Sequence, residues 1–276
     1  MCELLGLSSN RMATVNLSLA TLAEHGGRTG PHRDGWGVAW YEGPDVRLIK
    51  EAEAAADSDW IRFIRDHELR SRIIVAHVRR ATMGERTYRN TQPFMRELAG
   101  RMHLFAHNGW LPTIEDTREL VPRHFHPLGE TDSERAFCAL LDRMAEIWTQ
   151  PGDIPPLDLR ISVVARFAER LRALGPANFL YSDGDVLFAH GDRRKHADTG
   201  HVEPPGLFCL ERRCPGGAGA FASGGVAVGG EAQAVALVAS VPLSEAPWQP
   251  LGEGEVIAVA EGTIVRRDRP AAVPAD

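Results

Sequence analysis

The chain has 276 residues, 43% hydrophobic and 25% charged, enough for one large domain with a real core. A net charge of −6 argues against nucleic acid or an anionic membrane surface as a partner. No apolar run approaches the ~20 residues that span a bilayer, and the N-terminus lacks the basic-then-apolar layout of a secretory signal.

The first residues read as a strand over 2–7, and a helix is expected over 15–24, stopped by Gly26 and Gly27. Residues 35–41 are apolar and aromatic and read as a strand, which Gly43 and Pro44 turn into a second strand over 46–50. A short helix is expected over 59–67, with Trp60, Phe63 and Ile64 on one face. Residues 73–78 form a buried-type strand, a polar loop runs through Gln92 and Pro93, and another strand covers 102–107. The clearest helix is 131–148, where Phe137, Leu140, Leu141, Met144 and Trp148 recur at helical spacing. Thr131 and Glu134 give it a capping-box start. A second long helix covers 159–174, ended by Gly175 and Pro176. Strands follow over 178–181, 186–190, 207–211, 235–240, 255–260 and 263–267, with Asp183 and Gly184 as a hairpin turn. The Gly/Ala-rich stretch 214–230 reads as a loop, and 270–276 as a flexible tail behind a single domain over 1–269. Strands, two long helices, then strands again lack the regular alternation of a parallel doubly wound fold. The expected architecture is α+β, two antiparallel sheets packed together with helices outside.

Four short stretches at element ends carry chemistry. Cys2, once Met1 is removed, holds a thiol and a free α-amine on one Cα; the amine's usual pKa of about 7.7–8.0 makes it a usable base. Asn108 offers a side-chain amide and Gly109 an unobstructed backbone N–H, the two donors an oxyanion hole needs. Arg79 can hold a carboxylate by two parallel bonds, and Asp132 can hold an ammonium. Each has a plainer reading. Cys2 is a small residue at a strand start, Arg79 a structural ion pair, Asn108-Gly109 a tight turn, and Asp132 a helix-start acid. Taken together, they fit a substrate with an α-carboxylate, an α-amine and an attackable carbonyl further out: glutamine or a γ-glutamyl amide. Cys2, Cys138, Cys209 and Cys214 match no zinc spacing and no secreted framework, which fits a reducing cytoplasm. His124 and His126 form a candidate metal pair, but a surface loop is the preferred reading.

The ordered set resembles the class II glutamine amidotransferases, members of the N-terminal-nucleophile hydrolases. It comprises Met1-Cys2-Glu3-Leu4-Leu5-Gly6, Asp34-Gly35-Trp36-Gly37, His77-Val78-Arg79-Arg80-Ala81-Thr82, His107-Asn108-Gly109-Trp110 and Gly129-Glu130-Thr131-Asp132-Ser133-Glu134. The likeness covers most of the chain and is strongest to the stand-alone, YafJ-type branch. It implies a four-layer α/β/β/α sandwich. It also implies Cys2 as nucleophile with its α-amine as base, and Asn108 and Gly109 as the oxyanion hole. Arg79 and Thr82 would meet the substrate carboxylate, and Asp132 its α-amine. The implied chemistry is acyl transfer through a γ-glutamyl thioester, with release of ammonia or an amine and no metal or organic cofactor. There is one departure. Many members carry Arg-Gly three residues before the aspartate matching Asp34, where this chain has Pro31-His32, with Arg28 and Arg33 nearby as substitutes.

Larger relatives attach a synthase domain, for which this chain leaves no room after its last strands. The expectation is therefore a hydrolase of γ-glutamyl amides. The alternatives are a glutaminase subunit serving a separate synthase partner, or a non-catalytic scaffold of the same fold. Related Cys-terminal acylases of non-glutamyl amides would not need both Arg79 and Asp132.

Overall fold

The computed structural model describes residues 2–14, 16–67, 69–214, 217–223, 226–230 and 232–270. The expected tail over 271–276 and Met1 lie outside the described residues. In chain order the elements are β1 (Glu3–Ala13), α1 (Asn16–His25), β2 (Trp36–Glu42), β3 (Asp45–Glu51), α2 (Asp59–Asp66), β4 (Ser71–Val78), β5 (Phe94–Leu98) and β6 (Arg101–Gly109). Then come α3 (Asp132–Met144), α4 (Leu157–Arg172), β7 (Ala177–Ser182), β8 (Leu187–Gly191), β9 (Arg194–Lys195), β10 (Val202–Glu203) and β11 (Phe208–Cys214). The chain continues through β12 (Gly217–Ser223), β13 (Val226–Gly230), β14 (Gln233–Ala239), β15 (Gln249–Pro250), β16 (Glu255–Ala260) and β17 (Thr263–Asp268).

Two large antiparallel sheets face each other. One has seven strands in the order β15-β11-β14-β1-β4-β2-β3, the other six in the order β17-β16-β8-β7-β6-β5. Side chains alternate across each strand, so every strand feeds two layers. Leu4, Ala39 and Val75 of the first sheet meet Leu104, Ala106, Leu180 and Ile257 of the second between the sheets. Leu5, Trp36, Ile74 and Val78 point the other way, onto Leu19, Leu22 and Ala23 of α1 and Ile64 of α2. On the far side, Phe105, Phe179 and Phe188 pack under Phe137, Leu140 and Met144 of α3 and Val164 and Phe167 of α4. These three apolar layers give the α/β/β/α order expected from the sequence.

Several expectations are corrected. The stretch 214–230 is not a loop, since β12 and β13 pair within it as an antiparallel hairpin. Small residues lower strand propensity, but a two-strand ladder needs only backbone donors and acceptors. β5 was not foreseen. Trp60 and Phe63 do not share the buried face of Ile64: they are 49% and 47% exposed, and Ile64 is 3% exposed. The capping box is half made. Thr131 accepts from the Glu134 N–H at 3.2 Å, but the Glu134 carboxylate bonds the Gly129 N–H at 2.7 Å and Arg96 at 2.6 Å instead.

Two ties hold helices to sheets by charge. Arg160 of α4 bonds Asp183 and Asp185 in the β7–β8 turn, each at 2.8 Å. Glu3 of β1 accepts a 2.6 Å hydrogen bond from His25 Nδ1 at the end of α1, and His32 Nε2 lies 4.0 Å from its other oxygen. Burial pushes the Glu3 carboxyl up, but the His25 bond with the charges of His25, His32 and Arg194 outweighs it, leaving the carboxyl below its usual range. The same bond to Glu3 raises His25 above its usual range, against the opposing effect of burial.

Phe137 is fully buried and stacks on Phe105 at 5.4 Å between ring centroids. Phe137→Ala is expected to destabilise the fold by about 3–5 kcal/mol, read from urea unfolding midpoints. The Glu3–His25 tie sets a pH window. Because His25 is raised, its contribution is complete below its unfolded value and is lost as pH rises through the folded one. Because Glu3 is lowered, its contribution is complete above its unfolded value and is lost as pH falls through the folded one. The Tm deficit of His25→Gln should therefore be greatest near about pH 5–6 and shrink on either side. A deficit independent of pH would mean that packing, not charge, holds α1 to β1.

Candidate active site

In the β1–β4 ladder Glu3 lies opposite Val78 and Leu4 opposite His77. Cys2 therefore sits beside the segment where the chain leaves β4. By strand alternation Cys2 shares the face of Leu4, Arg79 the face of Val75, and Asn108 the face of Ala106, all turned toward the space between the sheets. Three of the sequence-derived candidates thus meet at one end of the sandwich.

The Cys2 thiol is half-buried. Its Sγ accepts from the Arg80 N–H at 3.3 Å and lies 3.4 Å from the Arg80 carbonyl. Burial pushes the thiol above its ordinary value. The Arg80 backbone bond and the Arg79 charge pull it back without cancelling the rise, and the Asp132 charge adds to it. At neutral pH the sulfur is a thiol rather than a thiolate and needs a base before it can attack.

Arg79 is 3% exposed. Its Nη1 donates to the carbonyls of Asp34 (3.3 Å) and Glu85 (3.0 Å), and its Nη2 to those of Met83 (2.9 Å) and Gly84 (3.2 Å). The guanidinium thus gathers residues 83–85 over the end of β4. Asp34 closes the same segment from the other side, accepting from the Ala81 N–H at 2.8 Å and lying 3.4 Å from Arg86 Nε. Thr82 lies exposed in this segment. Buried Asn90 ties it to the strand-to-helix loop before α3, donating to the Glu85 carbonyl at 3.0 Å and accepting from the Glu130 N–H at 2.9 Å.

β6 carries Asn108 and Gly109 at its end. Gln92 fixes this strand end, accepting from the His107 N–H at 2.6 Å and donating to the His107 carbonyl at 3.2 Å. Asn108 Nδ2 lies 3.4 Å from Ser240 Oγ, and its buried Oδ1 has no hydrogen-bond partner. At Gly109 a Cβ would stand 1.9 Å from the Pro176 carbonyl oxygen and 2.5 Å from His107 Nε2, so only glycine fits. Asp132, 6% exposed at the start of α3, accepts from the Leu111 N–H at 2.8 Å and from the Ser133 N–H at 2.7 Å. That first bond couples Asp132 to the segment that continues from Gly109.

Around Pro31-His32 the two nearby arginines are engaged elsewhere. Arg28 is exposed and pairs with Glu24 at 3.8 Å, and Arg33 donates to the Gly27 carbonyl at 2.6 Å. His32 is the buried residue here, its Nδ1 donating to the His25 carbonyl at 3.1 Å and its Nε2 facing Glu3. His77, on the Arg79 face of β4, has both ring nitrogens buried and unpartnered, and burial holds it well below its usual pKa, so the ring is neutral. His124 bonds Asp142 at 3.1 Å on the exposed side of α3. Among the described residues, no helix is long and apolar enough to cross a membrane. Sequence reading missed Asn90, Gln92 and Ser240 around the site. Each acts through one side chain on distant backbone, which leaves no spacing to read; Gln92 was visible only as the residue before Pro93.

The model of the class-II glutamine amidotransferases matches residues 1–275. YafJ of Escherichia coli K12 is 35% identical over 262 residues, covering 92% of this chain and 96% of its own. The protein MJ1515 of Methanocaldococcus jannaschii is 33% identical over 273 residues, covering 96% of this chain and 71% of its own. The crystal structure of a predicted glutamine amidotransferase from Pseudomonas aeruginosa PA01 superposes with a TM-score of 0.65 at 33% identity, over 96% of this chain and 100% of that one. The glutamine phosphoribosylpyrophosphate amidotransferase of B. subtilis shares the fold, with a TM-score of 0.60 at 16% identity, over 97% of this chain and 49% of that one. The end of the sandwich where Cys2, Arg79 and Asn108 converge is thus built in a chain that belongs to the class II glutamine amidotransferases.

Proposed function

We propose that the protein hydrolyses the γ-amide of glutamine or of a γ-glutamyl conjugate, with Cys2 as nucleophile. The observation that carries this reading is the convergence of Cys2, Arg79 and Asn108 at one end of the two sheets. Removal of Met1 frees the α-amine of Cys2. That amine takes the thiol proton, and the sulfur attacks the γ-carbonyl. Asn108 Nδ2 and the Gly109 N–H receive the tetrahedral oxygen; one such donor is typically worth about 2.7–4 kcal/mol. The amine leaves with the proton, and water attacks the γ-glutamyl thioester to release glutamate and regenerate the thiol.

Asp132 receives the α-ammonium, using carboxylate lone pairs left beyond its bonds from the Leu111 N–H and from the Ser133 N–H and hydroxyl. Arg79 and Thr82 receive the α-carboxylate. Arg79 spends its Nη donors on neutral carbonyls. A carboxylate is the stronger acceptor and displaces the Met83 and Gly84 carbonyls from Nη2. Recognition is then coupled to movement of residues 83–85. The free thiols of Cys2, Cys138, Cys209 and Cys214 suit a reducing cytoplasm.

The test is kcat/KM across a panel of γ-glutamyl amides with the processed protein. At least one conjugate should outperform free glutamine, through contacts to its leaving group. Inactivity on every compound, restored by a component of cell extract, would replace the hydrolase with a glutaminase subunit that needs a synthase partner. Cys2→Ala should lower turnover by about three orders of magnitude or more, and full activity in that variant would end the mechanism.

Arg79→Lys separates recognition from scaffolding. An ammonium cannot reproduce a bidentate guanidinium, so KM for glutamine should rise about 10- to 100-fold. Substrates without an α-carboxylate should be poor in the parent protein and lose little more. Equal losses for both substrate types, together with a lowered Tm, would make Arg79 a holder of the 83–85 segment alone.

A further inference from the structure

Ser240 follows β14 directly and is fully buried. It occupies both backbone groups of Leu4, two residues from the candidate nucleophile. Its N–H donates to the Leu4 carbonyl at 3.1 Å, and its Oγ accepts from the Leu4 N–H at 3.0 Å. Its carbonyl accepts from the Arg194 guanidinium. The same Oγ lies 3.4 Å from Asn108 Nδ2, on the opposite sheet. One hydroxyl therefore joins the Cys2 strand to Asn108.

The polar accounting at this contact is unbalanced. Ser240 Oγ accepts from Leu4 and from Asn108 and still has its own proton to place. Asn108 Oδ1 is buried with no hydrogen-bond partner. The two ends of a side-chain amide are alike in shape, and their assignment follows from the surrounding hydrogen bonds. Turning the Asn108 amide by 180° puts Oδ1 where Ser240 can donate to it. Nδ2 then takes the position that now holds a partnerless oxygen.

We propose that Ser240 is a positioning residue for the oxyanion hole. Its hydroxyl accepts from Leu4 N–H and donates to Asn108 Oδ1, which directs Asn108 Nδ2 to the tetrahedral oxygen formed at Cys2. The inference rests on the role given to Asn108 under the proposed function. It adds a residue 132 positions from Asn108 that sets both the amide's orientation and its distance from the nucleophile strand. Ser240 touches no substrate in this scheme and acts through Asn108.

The test is a double-mutant cycle on the processed protein, with Ser240→Ala, Ser240→Thr, Asn108→Ala and the double variant Ser240→Ala/Asn108→Ala. It is read by kcat and KM on the best γ-glutamyl amide and by the rate of Cys2 alkylation with iodoacetamide. That alkylation attacks a saturated carbon and forms no oxyanion. Ser240→Ala should lower kcat about 10- to 100-fold, as expected for a displaced donor, with KM and the alkylation rate changed by less than about threefold. Ser240→Thr should restore most of the loss. The double variant should turn over within about threefold of Asn108→Ala alone, because both changes remove the same interaction. Multiplying losses would overturn the proposal, as would alkylation slowed as much as turnover, which would place the effect on β1. A crystal structure of the unmodified protein at atomic resolution supplies a readout free of activity. Oδ1 facing Ser240 is required, and Nδ2 facing it overturns the inference. If the protein hydrolyses no γ-glutamyl amide, the proposed function falls and this inference with it; hydrolysis with Nδ2 facing Ser240, or with multiplying losses, overturns this inference alone.

Discussion

The register between β1 and β4 is the constraint on which the rest of the structure depends. With Glu3 opposite Val78, Cys2 lies beside the residues that leave β4, and its side chain faces the second sheet. A slip of one residue would turn Cys2 toward α1 and carry Glu3 into the space between the sheets. The outer layer resists that slip twice. Leu5 and Leu7 are packed with Trp36, Leu22 and Val78, and Glu3 is bonded by His25 with His32 alongside. In the slipped register a carboxylate would enter an apolar layer without a cation, which is far more costly than losing one apolar contact. The acidic residue after Cys2 thus locks the strand that presents it. His32 is part of that lock.

The second constraint is the solvation of Arg79. A buried guanidinium needs acceptors, and this one collects carbonyls from three consecutive residues of the segment after β4 together with Asp34. The segment is thereby shaped by the same cation that the proposed function offers to a substrate carboxylate. Asn90 carries the shape onward to Glu130, and Thr131 then caps α3, which begins with Asp132. The two candidate poles for a zwitterion, cation and carboxylate, are therefore linked through one loop pair rather than set independently.

Much of this was legible in the sequence. The short motifs fall at strand and helix ends because Gly, Asn and Asp mark where ladders stop, and the stops of β4 and β6 carry Arg79 and Asn108 close behind or within them. The apolar runs of β1, β4 and β6 marked them as strands, but because both of their faces are buried the sequence did not say which face meets the second sheet. What escaped was set by single long-range bonds. Ser240 looks like an ordinary polar residue after an apolar strand, and only the fold brings its hydroxyl to Leu4 and Asn108. The capping box misled because Glu134 had a better offer from Arg96 than from its own helix start. Trp60 and Phe63 misled because the face that α2 buries runs through Ile61 and Ile64, while the two rings turn outward and contact each other at 5.8 Å in an edge-on pair. The hairpin of β12 and β13 escaped because glycine and alanine carry almost no strand signal, although their backbones pair as well as any.

The state of the Cys2 sulfur ties these strands together. Its burial favours the thiol, and the nearby Asp132 charge adds to that preference. On the proposed mechanism the same Asp132 would serve the substrate's ammonium, so the carboxylate that recognises an amino acid also adds to the burial that keeps the sulfur protonated. Arg79 offsets only part of the difference. On the proposed mechanism the thiol proton is taken at the moment of attack by the α-amine of the processed Cys2, a type of group whose usual pKa of about 7.7–8.0 suits that task. When the substrate's ammonium sits on Asp132 and its carboxylate on Arg79, both poles are neutralised by the ligand itself. On the proposed mechanism the donors at Asn108 and Gly109 then stabilise the oxygen once the tetrahedral intermediate forms. On this reading substrate binding offsets only the smaller, charge-borne part of the bias on the resting thiol, burial being the larger part, and the strand register keeps Cys2 within reach of both charges.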